Sequence, residues 1–574
     1  MPKAGKEATI QVGTNRQIQE LYINLGLALR EAGEHEEAVA NLHKAIERDP
    51  EWAASYLALG LVLNDAGRYA EAEGILRQAL EHTSEEDIET RAAACAALGT
   101  SLHALERHAE AVGAFEEALR LGHKTAELYT RLGESLYFSH RREDALDALE
   151  QAQELDPGNA RAHASAGRVL GWLRRYDEAL AALDRALQLD PDDTYALTRK
   201  GLVLSQMGCH DEAMVLLDRA VELRPEDGAA WAGKGSVLRQ AGRYDEAIAV
   251  LDRATELKPD YAEAWAGKGV ALAQAERYGE AIAALDRATE LKPDYEWAWA
   301  SKGVALRLAE RYGEAIAALD RATELKPDYK WAWAWKGEAL RQAGRYEEAI
   351  VALDRATESK PDYDWAWAWK GEALRQAGRY DEAIAALDRA TELKLDYEWA
   401  WARKGVAMAQ AGRYEEAIAA LDRATELKPD YAWAWTWKGE SLRLSEFHEE
   451  AIAAFDQAIS LGDSSWPYYG RGLCHVALDQ LEHATSDFTA AIEHAYASLS
   501  HDPENTGEQF NLALYLLAAG QTESALQAYQ AGLALGPGRF TLHEALQDLA
   551  DLKAQLGPLP GLEEAEKLLA SQSD

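Results

Sequence analysis

The sequence predicts an all-α solenoid: a stack of about fifteen helical hairpins closed by a C-terminal capping helix. Three observations predict it. Blocks of 34 residues recur in register along most of the chain. Each block holds two stretches with helical spacing of small and apolar residues, joined in most central blocks by Ala-Gly-Arg or Ala-Glu-Arg. Most blocks then stop on a proline. A chain of 574 residues is also too long for one ordinary core, so an array or several domains are required.

The block Lys330–Tyr363 shows why each repeat folds. It reads KWAWAWKGEALRQAGRYEEAIVALDRATESKPDY. At about 100° per residue, Trp333, Lys336, Gly337 and Leu340 (positions 4, 7, 8 and 11) share one face of the first helix. Ala349, Leu353 and Ala356 (positions 20, 24 and 27) line up on the second. Small residues at 8 and 20 let the two helices approach, and the larger ones fill the space between them. Gly344 suits a left-handed turn, and Pro361 disfavours a helical residue before it. In the block starting at Asp364 that proline is Leu395, which predicts a softer stop. Position 7 is lysine at Lys200, Lys234, Lys268, Lys302, Lys336, Lys370, Lys404 and Lys438; its stem packs and its ammonium reaches water or a neighbouring carboxylate.

Taken in order, residues 1–18 are polar and aperiodic and read as a flexible leader. Residues 19–227 carry divergent repeats, the first at 19–52 and the next from Ala53. Five extra residues around Ser84–Ile88 precede a third repeat from Ala92. Starts then follow at Ala126, Ala160 and Thr194. Residues 228–464 are near-identical and tryptophan-rich, with starts at Gly228, Ala262, Glu296, Lys330, Asp364, Glu398 and Ala432. Residues 465–539 hold two degenerate repeats, from Ser465 and Thr506, around a polar insertion at Leu499–Asn505. Residues 540–574 form polar capping helices that close the stack.

Composition narrows the function. The net charge of −38, with no run of Lys or Arg, argues against nucleic acid and anionic lipid as partners. No run of 18 apolar residues and no apolar segment near Met1 suggests a membrane span or a secretory signal. Cys95, Cys209 and Cys474 are few and far apart, which fits a reducing compartment, and a cytoplasmic location is expected.

The pattern W-x-x-x-G, then A-x-x-x-[LF]-x-x-A, then P in 34 residues resembles the tetratricopeptide repeat family, over about 520 residues. The resemblance implies a right-handed superhelix of about two turns, with first helices lining a concave groove where ligands bind. It implies that the position-4 tryptophans (Trp265, Trp299, Trp333, Trp367, Trp401 and Trp435) are core. It also implies that positions 2, 5, 6, 9, 12 and 13 face the groove. There stand Trp297, Trp331, Trp365, Trp399 and Trp433 at position 2, and Trp335, Trp369 and Trp437 at position 6. Position 9 adds Glu338, Glu372 and Glu440; position 12 adds Arg307, Arg341, Arg375 and Arg443; position 13 adds Gln342 and Gln376. Tyr329, Tyr363 and Tyr397 sit at position 34, where the chain enters the next first helix.

Packing within a repeat does not require the indoles at 2 and 6. Either adjacent repeats bury them, with the tyrosines as staples, or they form an aromatic ladder for a partner. Tryptophan beside glutamate suits an extended, cationic or proline-rich protein segment. The Lys and Asn of a carboxylate clamp are missing at positions 5 and 9. The chain therefore reads as a protein-interaction scaffold; a regulatory subunit that holds a separate enzyme inactive and a chaperone-like adaptor for basic or repetitive clients are the alternatives. Its oligomeric state is open.

No catalytic residue, cofactor or metal site is expected. Cys474, His475 and His483 come nearest to a ligand set, but lack paired metal-ligand spacing. Phosphate loops, nucleophile elbows and dinucleotide fingerprints are missing, and the repeats leave no room for a catalytic domain.

Overall fold

A computed structural model describes residues 3–462 and 464–571. Among these there are thirty-two helices and no strand. They fall into two compact units, Met1–Lys292 and Pro293–Asp574. Within each unit every first helix packs on its own second helix, and the second packs on the following first, as a solenoid requires.

The repeat frame and the helices coincide. First helices begin at Ala126, Ala160, Thr194, Gly228, Ala262, Glu296, Lys330, Asp364, Glu398 and Ala432. Ala349, Leu353 and Ala356 are fully buried. A Cβ on Gly337 would lie 2.4 Å from Leu353 Cγ, so only glycine admits this crossing. Gly344 turns the chain at φ 74°, whereas Glu276 and Glu310 hold the same left-handed corner at φ 61° and 60°.

Several expectations are corrected. The leader is not a separate element, because one helix spans Lys3–Glu31; Met1 and Pro2 lie outside the described residues. No proline occurs between Pro2 and Pro50 to stop that helix. Buried Gln19 anchors it by donating to Ala45 O at 3.1 Å and Ser55 Oγ at 3.1 Å. Of Ser84–Ile88 only Ile88 is helical, and the third first helix starts early, spanning Ile88–Ala104, with Asp87 Oδ1 accepting from Thr90 N. The insertion at 499–505 starts as helix, since Leu481–His501 runs into it. Leu395 brings no softer stop: Tyr380–Leu393 ends on Lys394 just as Tyr346–Ser359 ends on Lys360. There Trp401 Nε1 donates to Leu395 O at 3.1 Å, the bond Trp333 makes to Pro327 O at 2.9 Å, so contact with the next helix sets the boundary.

That bond also explains why the position-4 tryptophans are half-buried rather than core. Each indole N–H reaches back six residues to the preceding turn, at the edge of the hairpin. The position-7 lysines sit beside them. Lys336 Nζ lies 4.7 Å from the Trp333 ring centroid and 2.6 Å from Asp320 of the previous repeat. The same pair of contacts recurs at Lys370 and Lys404.

The C-terminal helix Arg539–Leu556 packs against the first helices Thr506–Ala518 and Trp466–Ala477. The helix Leu562–Ala570 covers Thr522–Ala534.

Candidate functional site

The first helices of Pro293–Asp574 place the indoles at 2 and 6 one turn apart, so they meet along one side. Trp331, Trp335, Trp365 and Trp369 form one cluster across two repeats. Ring centroids lie 6.1 Å apart for Trp331–Trp335, 4.8 Å for Trp335–Trp369 and 4.4 Å for Trp365–Trp369, all edge to face. Tyr363 adds its ring 4.3 Å from Trp365. A second cluster forms around Arg403, whose guanidinium lies 5.1 Å from Trp399 and 4.1 Å from Trp433. Trp433 meets Trp437 at 6.2 Å, and Tyr397 stacks on Trp399. Trp297 meets Tyr295, and Tyr329 meets Trp331. All eight of these tryptophans are half-buried. The Trp335 indole N–H is shielded from solvent and meets no acceptor among the described residues.

Beneath the indoles runs a polar row. Arg341 donates to both Glu338 oxygens at 2.8 and 2.7 Å, and Gln342 donates to Glu338 at 3.0 Å. Arg375 holds Glu372 the same way, at 2.9 Å twice. The remaining Nη1 crosses to the next repeat: Arg307 to Gln342 at 3.2 Å, Arg341 to Gln376 at 3.0 Å, Arg375 to Gln410 at 2.8 Å. Glu338, Glu372, Arg375 and Arg443 are therefore buried, where the sequence suggested groove-facing groups. The reason is that adjacent first helices lie side by side, so positions 9, 12 and 13 face the neighbouring repeat. Burial would raise the Glu372 carboxyl; the Arg375 bond and the charges of Arg375 and Arg403 outweigh it and hold it below the usual range.

The row changes at its end. Arg443 binds Glu440, but the next repeat offers Ala477 at position 13. Instead Arg443 donates to Asp551 Oδ2 at 2.6 Å, on the helix Arg539–Leu556. Burial, with Glu440, Glu544 and Asp551 nearby, pushes the Asp548 carboxyl up to about 8, and Arg443 opposes this only in part. Sequence reading missed Asp548 and Asp551, and no local motif marks them.

A cleft of about 280 Å³ lined by Trp333, Lys336, Leu340, Glu347, Glu348, Val351 and Ala352 is separate from both indole clusters. Cys474 is buried, and His475 stacks on His483 at 5.2 Å.

Known proteins settle the family. A tetratricopeptide repeat profile matches residues 23–87, 130–194, 198–262, 234–296 and 468–540, and a second matches 306–371, 340–403 and 374–436. The chain belongs to the tetratricopeptide repeat family. Among solved structures, the APC/C hetero-tetramer Cut9–Hcn1 aligns over 86% of this chain and 96% of its own, at 16% identity and TM-score 0.51. YrrB, a TPR protein with an unusual peptide-binding site, aligns over 33% of this chain and 95% of its own, at 27% identity and TM-score 0.28. No curated protein matches the sequence. Tetratricopeptide arrays are interaction scaffolds, and among the described residues no helix is long and apolar enough to cross a membrane.

Proposed function

We propose that this tetratricopeptide array is a non-enzymatic scaffold that holds an extended, proline-rich segment of a partner protein on the indole clusters of Pro293–Asp574. The observation that carries the reading is the four-indole cluster Trp331, Trp335, Trp365 and Trp369, half-buried, with an unanswered N–H on Trp335. Ring faces suit proline side chains, and an indole N–H suits the carbonyl of a backbone without internal hydrogen bonds. The cationic half of the sequence expectation loses its support, because Glu338, Glu372 and Glu440 are each bonded to an arginine. A cytoplasmic setting fits the free cysteines.

A labelled decaproline peptide tests this. Wild type should bind it, and Trp335→Phe/Trp369→Phe, which keeps rings in place but loses the N–H, should weaken binding roughly tenfold. Equal affinity for both proteins would overturn the reading.

The regulatory alternative draws on a separate observation. Arg539–Leu556 rests on the first helices, with Asp551 at the end of the arginine row. An occupant carried by the chain itself gives the scaffold a means of gating access there.

A further inference from the structure

The unit Met1–Lys292 carries a different constellation at equivalent helix positions. Arg168 stands at position 9 of Ala160–Trp172, and Tyr195 and Arg199 at positions 2 and 6 of Thr194–Gln206. In three repeats of the other unit the position-9 residue, Glu338, Glu372 or Glu440, is a glutamate that neutralises an arginine. Here position 9 is itself an arginine.

Arg168 lies 4.1 Å from the Tyr137 ring, 4.8 Å from Phe138 and 5.8 Å from Tyr195. Arg199 lies 5.0 Å from the same Tyr195 ring. Two guanidiniums therefore share one phenol. Among the described residues neither makes an ion pair or a hydrogen bond. Arg168 Nε, Arg199 Nε and the Tyr195 hydroxyl are all shielded from solvent and unpartnered. Other arginines of this unit do find carboxylates: Arg131 pairs with Glu127 at 2.6 Å, and Arg161 holds buried Glu134 at 2.7 Å. Arg239, at position 12 two repeats beyond Arg168, is half-buried without a carboxylate as well.

The energetics make this unusual. A half-buried cation without a counter-charge gives up hydration and gains only the ring contacts in return. The chain has 98 acidic residues against 60 basic ones, so a nearby carboxylate would be easy to supply. A missing anion, two guanidiniums on one phenol ring, three unpartnered polar atoms and a flanking wall of rings describe a site built for a ligand from outside. Guanidinium forks match carboxylates in shape as well as in charge.

We propose that Arg168, Tyr195 and Arg199 bind a carboxylate side chain of an acidic segment on a partner protein. The site is independent of the indole clusters, and it gives an acidic scaffold one place where an acidic chain is welcome. One guanidinium takes the carboxylate in a fork, the Tyr195 hydroxyl donates to it, and the second guanidinium steadies the next acidic residue.

The test is fluorescence anisotropy with labelled hexaglutamate, hexaserine and a phosphoserine peptide on the full chain. Hexaglutamate should bind, hexaserine should not, and moderate salt should weaken the complex. Arg168→Gln/Arg199→Gln should lower hexaglutamate affinity roughly tenfold or more. Tyr195→Phe keeps the ring that both guanidiniums stack on and should lower it severalfold with an unchanged melting temperature, which separates lost binding from lost folding. Equal binding of hexaserine, affinity unaffected by the arginine pair and by Tyr195→Phe, or binding of the phosphoserine peptide alone would each overturn the proposal.

Discussion

Arg443 and Asp551, 108 residues apart, meet at 2.6 Å and join the last helices to the repeat array. The contact stands where the inter-repeat row has no glutamine left to accept from arginine. Arg443 is only 2% exposed, so removing Asp551 leaves a buried cation with one carboxylate instead of two. Asp551→Ala should loosen Arg539–Leu556 by about 2–4 kcal/mol, and faster amide exchange confined to that helix would show it.

Asp548 makes the same helix sensitive to pH. Its folded pKa, near 8, is raised above the ordinary aspartate value, so the folded state binds more protons than the unfolded state between those values. Stability then falls as pH rises through that window, by up to about 1.4 kcal/mol per pH unit, and levels off above pH 8. Protection of Arg539–Leu556 should be greater at pH 6 than at pH 8.5. Asp548→Asn should flatten the difference; a difference of the same size in that variant would remove Asp548 as its source.

Gly337 and Gly344 are glycines for different reasons, and alanine separates them. At Gly337 a Cβ meets Leu353 in the core, and Gly337→Ala should cost about 1–3 kcal/mol. At Gly344 there is open space and only the left-handed φ of 74° is strained, so Gly344→Ala should cost about 1 kcal/mol. Chemical denaturation of both variants checks the order.

The reverse change applies at Glu276, which already sits at φ 61°. Glu276→Gly relieves that strain and should stabilise its repeat by about 0.5–1 kcal/mol despite the extra freedom of glycine when unfolded. A lower denaturation midpoint would count against this.

Leu395→Pro should also stabilise, by about 0.4–1 kcal/mol, because the backbone there already stops as its proline-bearing neighbours do. Amide exchange in Tyr380–Leu393 should slow rather than quicken.

The hairpin was legible in the sequence because its constraints are local and steric. Gly337 against Leu353 and the turn at Gly344 are each settled within about 16 residues, and every first-helix start from Ala126 to Ala432 follows from them. Side-by-side contacts between repeats were harder to read. Glu338 looked open to a ligand by helical angle alone, yet it is buried under Arg341 and Gln342. Trp333 looked like core, yet its N–H is drawn back to Pro327. Asp551 gave no signal, because its partner depends on where the last helix comes to rest.

The bond from Arg307, Arg341 and Arg375 at position 12 to the following position-13 glutamine makes this part of the array a ruler with interchangeable segments. Excising Lys330–Tyr363 would leave Arg307 facing Gln376, an identical join, while a cut that is not a whole number of repeats would misalign it. Recombination among these near-identical stretches of gene can therefore change the reach of the scaffold in whole steps, and each product inherits a seam that already fits.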